Sequence, residues 1–112
     1  TVPVGTRLPM TAGSAARVLA AFADREVRSG LLDDAVYSER NLAEIRKRGW
    51  AHSAGERADG VASVSAPIYD PTGAVIAAVS VSGPIDRMGR RPGERWAQDL
   101  LAAADRIGSR LR

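Results

Sequence analysis

The 112-residue sequence contains no cysteine, and His52 is its only histidine. The absence of thiols excludes disulfide frameworks, thiolate metal sites and cysteine nucleophiles. A single imidazole excludes histidine-pair zinc sites and leaves at most one histidine for a catalytic triad. The sequence also lacks a P-loop, a Gly-x-Ser-x-Gly elbow and a Rossmann glycine fingerprint, so we expect neither a cofactor nor a metal.

Aromatic residues are scarce, at 4% of the chain, and Lys47 is the only lysine among many arginines. The formal net charge is +3, but acidic and basic residues are interspersed, as in Asp24-Arg25-Glu26. A nucleic-acid surface needs basic residues clustered on one face, with aromatic side chains that stack on bases. The mixed charges instead indicate solvated helix faces, and we expect no direct DNA contact by this chain.

Long hydrophobic runs are missing too, and the start Thr1-Val2-Pro3-Val4-Gly5 lacks the basic and apolar regions of a signal peptide. Hydrophobic residues make up 45% and charged residues 26% of the chain, the ordinary balance of a globular protein. We therefore expect a soluble, cytoplasmic protein that does not contact membranes. The length is that of one domain, or of part of one.

Helical periodicity predicts one helix that opens at Gly13-Ser14 and a second, short one from Asp24 toward Gly30. Ser38 has the chemistry of an N-cap for a third helix, which Gly49 ends, and Trp50 to Ser53 resembles a short strand. The chain finishes in a helix with one apolar stripe. This stripe consists of Trp96, Leu100, Ala103, Ile107 and Leu111.

Two further strands, Val61 to Tyr69 and Ala74 to Ser82, are predicted to form a hairpin around the turn Asp70-Pro71-Thr72-Gly73. Each strand has one purely apolar face, and a one-residue slip would expose half of it, so both faces should lie on the core side. The apolar sets are Ala62, Val64, Ala66 and Ile68 on the first strand, and Val75, Ala77, Val79 and Val81 on the second. The order helix, helix, strand, hairpin, helix predicts an α+β domain with helices packed on an antiparallel sheet.

The opposite face of the hairpin carries only hydroxyl side chains at its centre. These are Ser63, Ser65, Ser80 and Ser82, with Ser63 placed nearly opposite Ser80. Spacing alone leaves two interpretations open, a solvent-exposed sheet face or the floor of a pocket. The helix start at Gly13-Ser14-Ala15 offers unpaired N–H groups that can hold a carboxylate. Together these features would make an anion-binding cavity with neutral hydroxyl donors.

Catalytic chemistry has little support in this sequence. An activated serine needs a positioned base, and the lone His52 is better interpreted as a packing or surface residue. The acidic pairs Asp33-Asp34 and Glu56…Asp59 match no cation-binding motif and are interpreted as solvated loop charges.

The chain resembles the C-terminal effector-binding domain of the IclR family of bacterial transcriptional regulators. The resemblance begins with Gly5-Thr6-Arg7-Leu8-Pro9-Met10 before an alanine-rich helix, and continues with Arg46-Lys47-Arg48-Gly49-Trp50. It extends through Ala66-Pro67-Ile68-Tyr69-Asp70 and Ser80-Val81-Ser82-Gly83-Pro84 to the final helix. The ordered set covers essentially the whole chain, and it implies a GAF/PAS-like architecture for the effector domain.

The resemblance also implies an effector site. Backbone N–H groups at Ser14 and Ala15 would contact the effector, Leu8 would form an apolar wall, and side chains of four serines would complete the site. Those serines are Ser53, Ser63, Ser80 and Ser82. Some family members have an aspartate at the position of Ser53 and a cysteine at that of Ser63. Because the serines are neutral, the site should favour an anion, and we expect a small organic acid.

The resemblance further implies that residues 1–112 form a ligand-sensing domain without its first strands. Operator DNA would be read by a separate N-terminal winged helix-turn-helix, and the whole regulator would be a homodimer or tetramer. The chain itself is then not an enzyme. Two alternatives stay open at this point, a small hydrolase that uses Ser80 or Ser82 and a pure oligomerisation module.

Overall fold

The computed structural model describes residues 12–56 and 59–110. The described residues form five helices and three strands; three helices come first, then the three strands, then two helices. They are α1 (Ser14–Ala21), α2 (Arg25–Leu32), α3 (Glu39–Arg48), β1 (Ala51–Ala54), β2 (Val61–Tyr69), β3 (Val75–Pro84), α4 (Ile85–Met88) and α5 (Gly93–Arg110). The strands form one antiparallel sheet in the order β1-β2-β3. The predicted α+β fold, with helices packed on an antiparallel sheet, is confirmed.

The hairpin of β2 and β3 has the predicted turn. The Asp70 carboxylate accepts hydrogen bonds from the backbone N–H groups of Thr72 and Ala74 at 2.9 and 3.0 Å. Gly73 has φ +89°, which only glycine adopts without strain, and its N–H donates to the Asp70 carbonyl oxygen at 3.0 Å. These bonds all lie within the turn, so they define the reversal of the chain from local residues.

The register of the hairpin agrees with the predicted parity except beside the turn. Val64 pairs with Val81 and Ile68 with Ala77, as the apolar faces required. Tyr69 then pairs with Val75, which leaves Ile76 as the extra residue of a β-bulge. Placing Val75 on the apolar face was therefore wrong, because the bulge reverses the alternation at that point. Val81 lies on the predicted face but remains 42% exposed.

The third helix begins and ends as predicted. The Ser38 hydroxyl accepts from the Asn41 N–H, and the Asn41 side chain accepts from the Ser38 N–H, which together form a capping box. Gly49 ends the helix in the left-handed conformation. Leu42 and Ile45, on the inward face of this helix, are fully buried.

The sheet is covered on both faces. On one face, α1 and α3 enclose a core around Val18, Leu42, Ile45 and Ala51. On the other face, α5 packs on β2 around Val64, Ile68 and Leu100. The hydroxyl face of the hairpin is the one that α1 covers, so it is not simply a solvated surface. In the described residues no helix is long and apolar enough to span a membrane.

The inward face of α5 differs from the predicted stripe. Its buried residues are Gly93, Ala97, Leu100, Ala104 and Gly108. Ile107 is instead 39% exposed, Ala103 is only half-buried, and Leu111 lies outside the described residues. Small side chains let a helix approach a sheet closely, so the helix turns its alanines and glycines inward and leaves larger residues at the margin.

Candidate functional site

Five serine hydroxyls form a continuous hydrogen-bonded chain between α1 and the sheet. Ser14, the first residue of α1, places its Oγ 2.6 Å from both Ser63 Oγ and Ser65 Oγ. Ser63 continues to Ser53 at 3.1 Å, and Ser65 continues to Ser80 at 2.5 Å. We call this chain the serine network. Its order is Ser53, Ser63, Ser14, Ser65, Ser80.

The serine network has one more proton than it has internal hydrogen bonds. Five hydroxyls supply five protons, and the four bonds between neighbours use four of them. The fifth proton belongs to the hydroxyl that donates to no neighbour, and this is Ser80 when all four bonds run from Ser53 toward Ser80. Ser65 and Ser14 are almost fully buried, whereas Ser80 is exposed, so water or a ligand can reach the Ser80 end. With the bonds running in that direction, Ser80 donates one hydrogen bond to an anion, strengthened by the polarised chain behind it.

The strand pairing places the predicted site residues differently from the predicted arrangement. Ser63 pairs with Ser82 and Ser65 with Ser80, so placing Ser63 nearly opposite Ser80 was wrong by two residues. Ser53 pairs with Ser63 across β1 and β2 and is buried. Ser82 is exposed at the end of the hydroxyl face. Leu8, the predicted apolar wall, lies outside the described residues.

Ser65 belongs to the predicted hydroxyl face but was not among the predicted effector contacts. It joins Ser14 to the exposed Ser80 in the network, and its i+2 spacing from Ser63 was the available signal. We expect Ser65→Ala to lower the free energy of unfolding by about 1–3 kcal/mol, because Ser14 and Ser80 each lose a hydrogen-bonding partner. Chemical denaturation measures this loss. A variant as stable as the parent would show that the network does not stabilise the fold.

The carboxylate of Glu56 binds at the start of α1. Gly13 is the N-cap, with φ 96°, and its N–H donates to Glu56 Oε1 at 3.0 Å. Arg17 donates to both oxygens of Glu56, at 3.3 and 2.6 Å. Interpreting Glu56 as a solvated loop charge was therefore wrong, since it joins α1 to the β1–β2 loop. The N–H groups of Ser14 and Ala15, in the first turn, have no acceptor within the helix.

His52 lies away from the serine network. It pairs with Val64, whose side chain belongs to the core under α5, while its neighbour Ser53 belongs to the opposite face. Its Nδ1 accepts a hydrogen bond from the Gly93 N–H at 2.9 Å, and its ring meets Trp50 edge-on with centroids 5.2 Å apart. His52 thus has the packing role that the sequence indicated, and it is not placed as a base for the serines.

The pKa of His52 is lowered from its ordinary value, first by burial and then by the positive charges of Arg48 and Arg91, with a smaller opposing effect from Glu94. The folded state therefore binds this proton less readily than the unfolded chain does. Stability should be complete above the unfolded pKa, near 6.5, and should fall as pH drops below it.

Denaturation at pH 7.5 and 5.5 tests this expectation against His52→Phe, which cannot titrate. The parent should lose stability over this interval and the variant should not, even though the variant is less stable throughout. Glu39 and Asp70 have lowered pKa values, because of hydrogen bonds from Arg46 and Thr72 respectively, so their contributions are lost only in more acidic solution. If parent and variant lose the same stability between pH 7.5 and 5.5, the pH dependence does not come from His52.

The described residues offer no constellation for a metal. Within residues 12–56 and 59–110, no group of three or more histidine, cysteine, aspartate or glutamate side chains is close enough to hold an ion. The chemistry available at the serine network is hydrogen-bond donation from neutral groups.

Comparison with known proteins adds the family. A sequence model described as "Bacterial transcriptional regulator IclR C-terminal" matches residues 1–109. The chain belongs to the IclR family. The resemblance seen in the sequence is thereby confirmed.

Among IclR-family relatives, the transcriptional repressor IclR of Escherichia coli K12 is 35% identical over 99 residues, which are 77% of this chain and 36% of that protein. The Pca regulon regulatory protein of Pseudomonas putida is 34% identical over 92% of this chain and 40% of its own length.

Solved structures of IclR-family proteins share the fold. A regulator from Rhodococcus sp. has a TM-score of 0.83 at 27% identity, over 97% of this chain and 46% of that one. The inducer-binding domain of PobR from Acinetobacter, a double mutant in complex with 3-hydroxybenzoic acid, has a TM-score of 0.78 at 23% identity. That match covers 96% of this chain and 73% of the PobR chain. This chain spans well under half the length of the repressor IclR.

Proposed function

We propose that this chain is the ligand-sensing part of a transcriptional regulator and that it recognises a small carboxylate. The observation that carries the proposal is the serine network, which runs from the first residue of α1 to the exposed hydroxyl of Ser80. A helix start and a hydroxyl chain meet at Ser14, and both favour negative charge.

The proposed contacts combine fixed and adjustable donors. The N–H groups of Ser14 and Ala15 supply fixed donors at the positive end of α1. Ser80 and Ser82 supply hydroxyls that rotate to suit the ligand, and Ser63 and Ser53 support them from within the sheet. Leu8 is proposed as an apolar wall that limits ligand size. None of these serines carries charge, so an incoming carboxylate meets no repulsion from them.

A hydrolase that uses Ser80 or Ser82 is less well supported. A serine nucleophile needs a base within hydrogen-bonding reach, and the only imidazole lies on the other side of the sheet with its Nδ1 bonded to Gly93. The hydrogen-bonding partner of Ser80 is another hydroxyl, Ser65. The relatives named above are transcriptional regulators, which also argues against an enzyme.

We also propose that operator DNA is read by a separate N-terminal winged helix-turn-helix domain. The matched family is described as a C-terminal domain, and this chain spans 36% of the length of the E. coli repressor. The ligand would act by changing the operator affinity of the whole regulator. This chain alone should show no sequence-specific binding in a mobility-shift assay at physiological salt.

Self-association through this domain, as a homodimer or tetramer, is part of the same proposal. Light scattering on the whole regulator at micromolar concentration tests it directly. A monomer under those conditions would rule out this part of the proposal but would leave ligand sensing intact.

Calorimetric titration tests the proposed ligand class. The panel consists of small carboxylic acids, including a hydroxybenzoic acid, each paired with the amide of the same shape. We expect at least one acid to bind and its amide to bind much more weakly, because hydrogen bonds to a charged acceptor are the stronger ones. Equal binding of an acid and its amide, or no binding by any acid, would contradict the proposal.

A further inference from the structure

A polar cavity adjoins the Ser53 end of the serine network, beside β1. It is an open cleft of about 500 Å³ between α1, α3, β1 and the linker from α4 to α5. Its charged lining residues include Arg17, Arg48, Arg90 and Arg91, opposed by Glu44 and Glu56, and His52 lines it as well. We call it the arginine cleft. Basic residues that are interspersed in the sequence converge here from three separate segments.

Two of the four arginines lack a carboxylate partner. Arg17 is paired with Glu56 at 2.6 Å, and Arg91 with Glu94 at 3.1 Å. Within residues 12–56 and 59–110, neither Arg48 nor Arg90 has a carboxylate at ion-pair distance. The cleft therefore has two positive charges that the described residues do not neutralise by direct pairing.

Arg48 is held in place by Trp50. Its guanidinium lies 4.0 Å from the centroid of the Trp50 ring, and its Nε–H donates to the Trp50 carbonyl oxygen at 2.8 Å. These contacts orient the planar fork and leave its terminal N–H groups available. Partial burial lowers the pKa of Arg48, and repulsion from Arg17 and Arg91 lowers it further, although Glu44 opposes the shift. An anion in the cleft would relieve that repulsion.

Gly93 and His52 form a rigid wall beside Arg48. The Gly93 N–H donates to His52 Nδ1, so the neutral imidazole carries its proton on Nε2. Trp50 packs directly over the Cα of Gly93 and edge-on against His52. The wall thus fixes the start of α5 next to the linker that carries Arg90 and Arg91.

We infer that the arginine cleft binds a small oxyanion with two or more negative charges, either a phosphate compound or a polycarboxylate. Arg48 and Arg90 would neutralise two charges, and His52 Nε2–H would add a neutral donor. A cavity of this volume suits a small molecule. The two sites adjoin at Ser53, but the proposed carboxylate contacts at Ser14, Ala15, Ser80 and Ser82 do not line the cleft, so the inference does not depend on them.

The test is an NMR titration of the 112-residue chain at low salt with three probes: inorganic pyrophosphate, succinate and acetate. Pyrophosphate or succinate should shift the amide signals of residues 48, 52 and 90–91, and acetate should bind at least tenfold more weakly. Stronger binding by pyrophosphate supports a phosphate ligand, and stronger binding by succinate supports a polycarboxylate. Shifts confined to other residues, or equal binding of all three probes, would overturn the inference.

Matched variants separate a defined site from general positive charge. Arg48→Gln combined with Arg90→Gln should weaken binding at least tenfold, whereas Arg106→Gln combined with Arg110→Gln, on α5, should leave it unchanged. Arg90→Gln alone provides a test if loss of the Arg48 stacking impairs folding, and it should weaken binding severalfold. Equal losses of affinity in the two double variants would show that binding depends on the general positive charge of the chain and not on a defined site. Stronger binding of a short DNA duplex at the same residues would also contradict the inference.

Discussion

Replacing Gly93 with alanine should lower the free energy of unfolding by about 3 kcal/mol, at the upper end of the usual cost of overpacking a core. A Cβ at Gly93 would lie 1.9 Å from Cζ3 and 2.4 Å from Cη2 of Trp50, far inside van der Waals contact. Either the indole or the start of α5 must move. Such a movement would also break the hydrogen bond from Gly93 to His52 and displace Arg48.

Thermal unfolding measures this effect, and Gly30→Ala is the matched control. A Cβ at Gly30 would meet nothing within 4 Å, and alanine favours the helical conformation of α2. The control should therefore be as stable as the parent or slightly more stable, while Gly93→Ala should melt about 13 °C lower. If the two variants melt together, the close contact between Gly93 and Trp50 does not constrain the fold.

Removing both exposed hydroxyls of the serine face should weaken binding of the best carboxylate about a hundredfold. Two hydrogen bonds at about 1.5 kcal/mol each, the lower end of the range for a charged acceptor, sum to about 3 kcal/mol, and a hundredfold change corresponds to about 2.7 kcal/mol. The variant is Ser80→Ala with Ser82→Ala. Because both side chains are exposed, and Ser65 keeps its bond to Ser14, the fold should remain nearly as stable as the parent.

The matched control for this pair is Ser29→Ala with Ser109→Ala, two exposed serines on α2 and α5. Calorimetry should give the same dissociation constant for this control as for the parent. A double variant at Ser80 and Ser82 that binds as tightly as the control would mean that the hydroxyl face takes no part in recognition.

The sequence predicted the features of the fold that depend on local chemistry or strict alternation. The N-cap at Ser38, the turn at Asp70 and the shared face of Val64 and Val81 all follow from residues close in sequence or from period-2 patterning. The bulge at Ile76 was not predicted, because hydrophobic residues continue on both sides of it. The inward face of α5 was misplaced because apolarity alone favours Ile107 over the small Ala104 and Gly108.

The candidate sites were only partly predictable, because their contacts join distant segments. The hydroxyl face could be recognised from strand parity, but the contact of Ser14 with Ser63 and Ser65 depends on how α1 packs on the sheet. Glu56 and Arg17 are 39 residues apart, and no local pattern pairs them. The convergence of Arg48 with Arg90 likewise requires the packing of Trp50 against the start of α5.

The most direct test of carboxylate sensing is an NMR measurement of backbone amide shifts in this chain, saturated with the best acid of the panel. The account predicts that the largest shifts occur at the N–H groups of Ser14 and Ala15, with further shifts at Ser80 and Ser82. The amides on the outer face of α5, such as that of Arg106, should not change. Shifts that cluster instead around Arg48 and His52, with none at Ser14 or Ala15, would contradict the account.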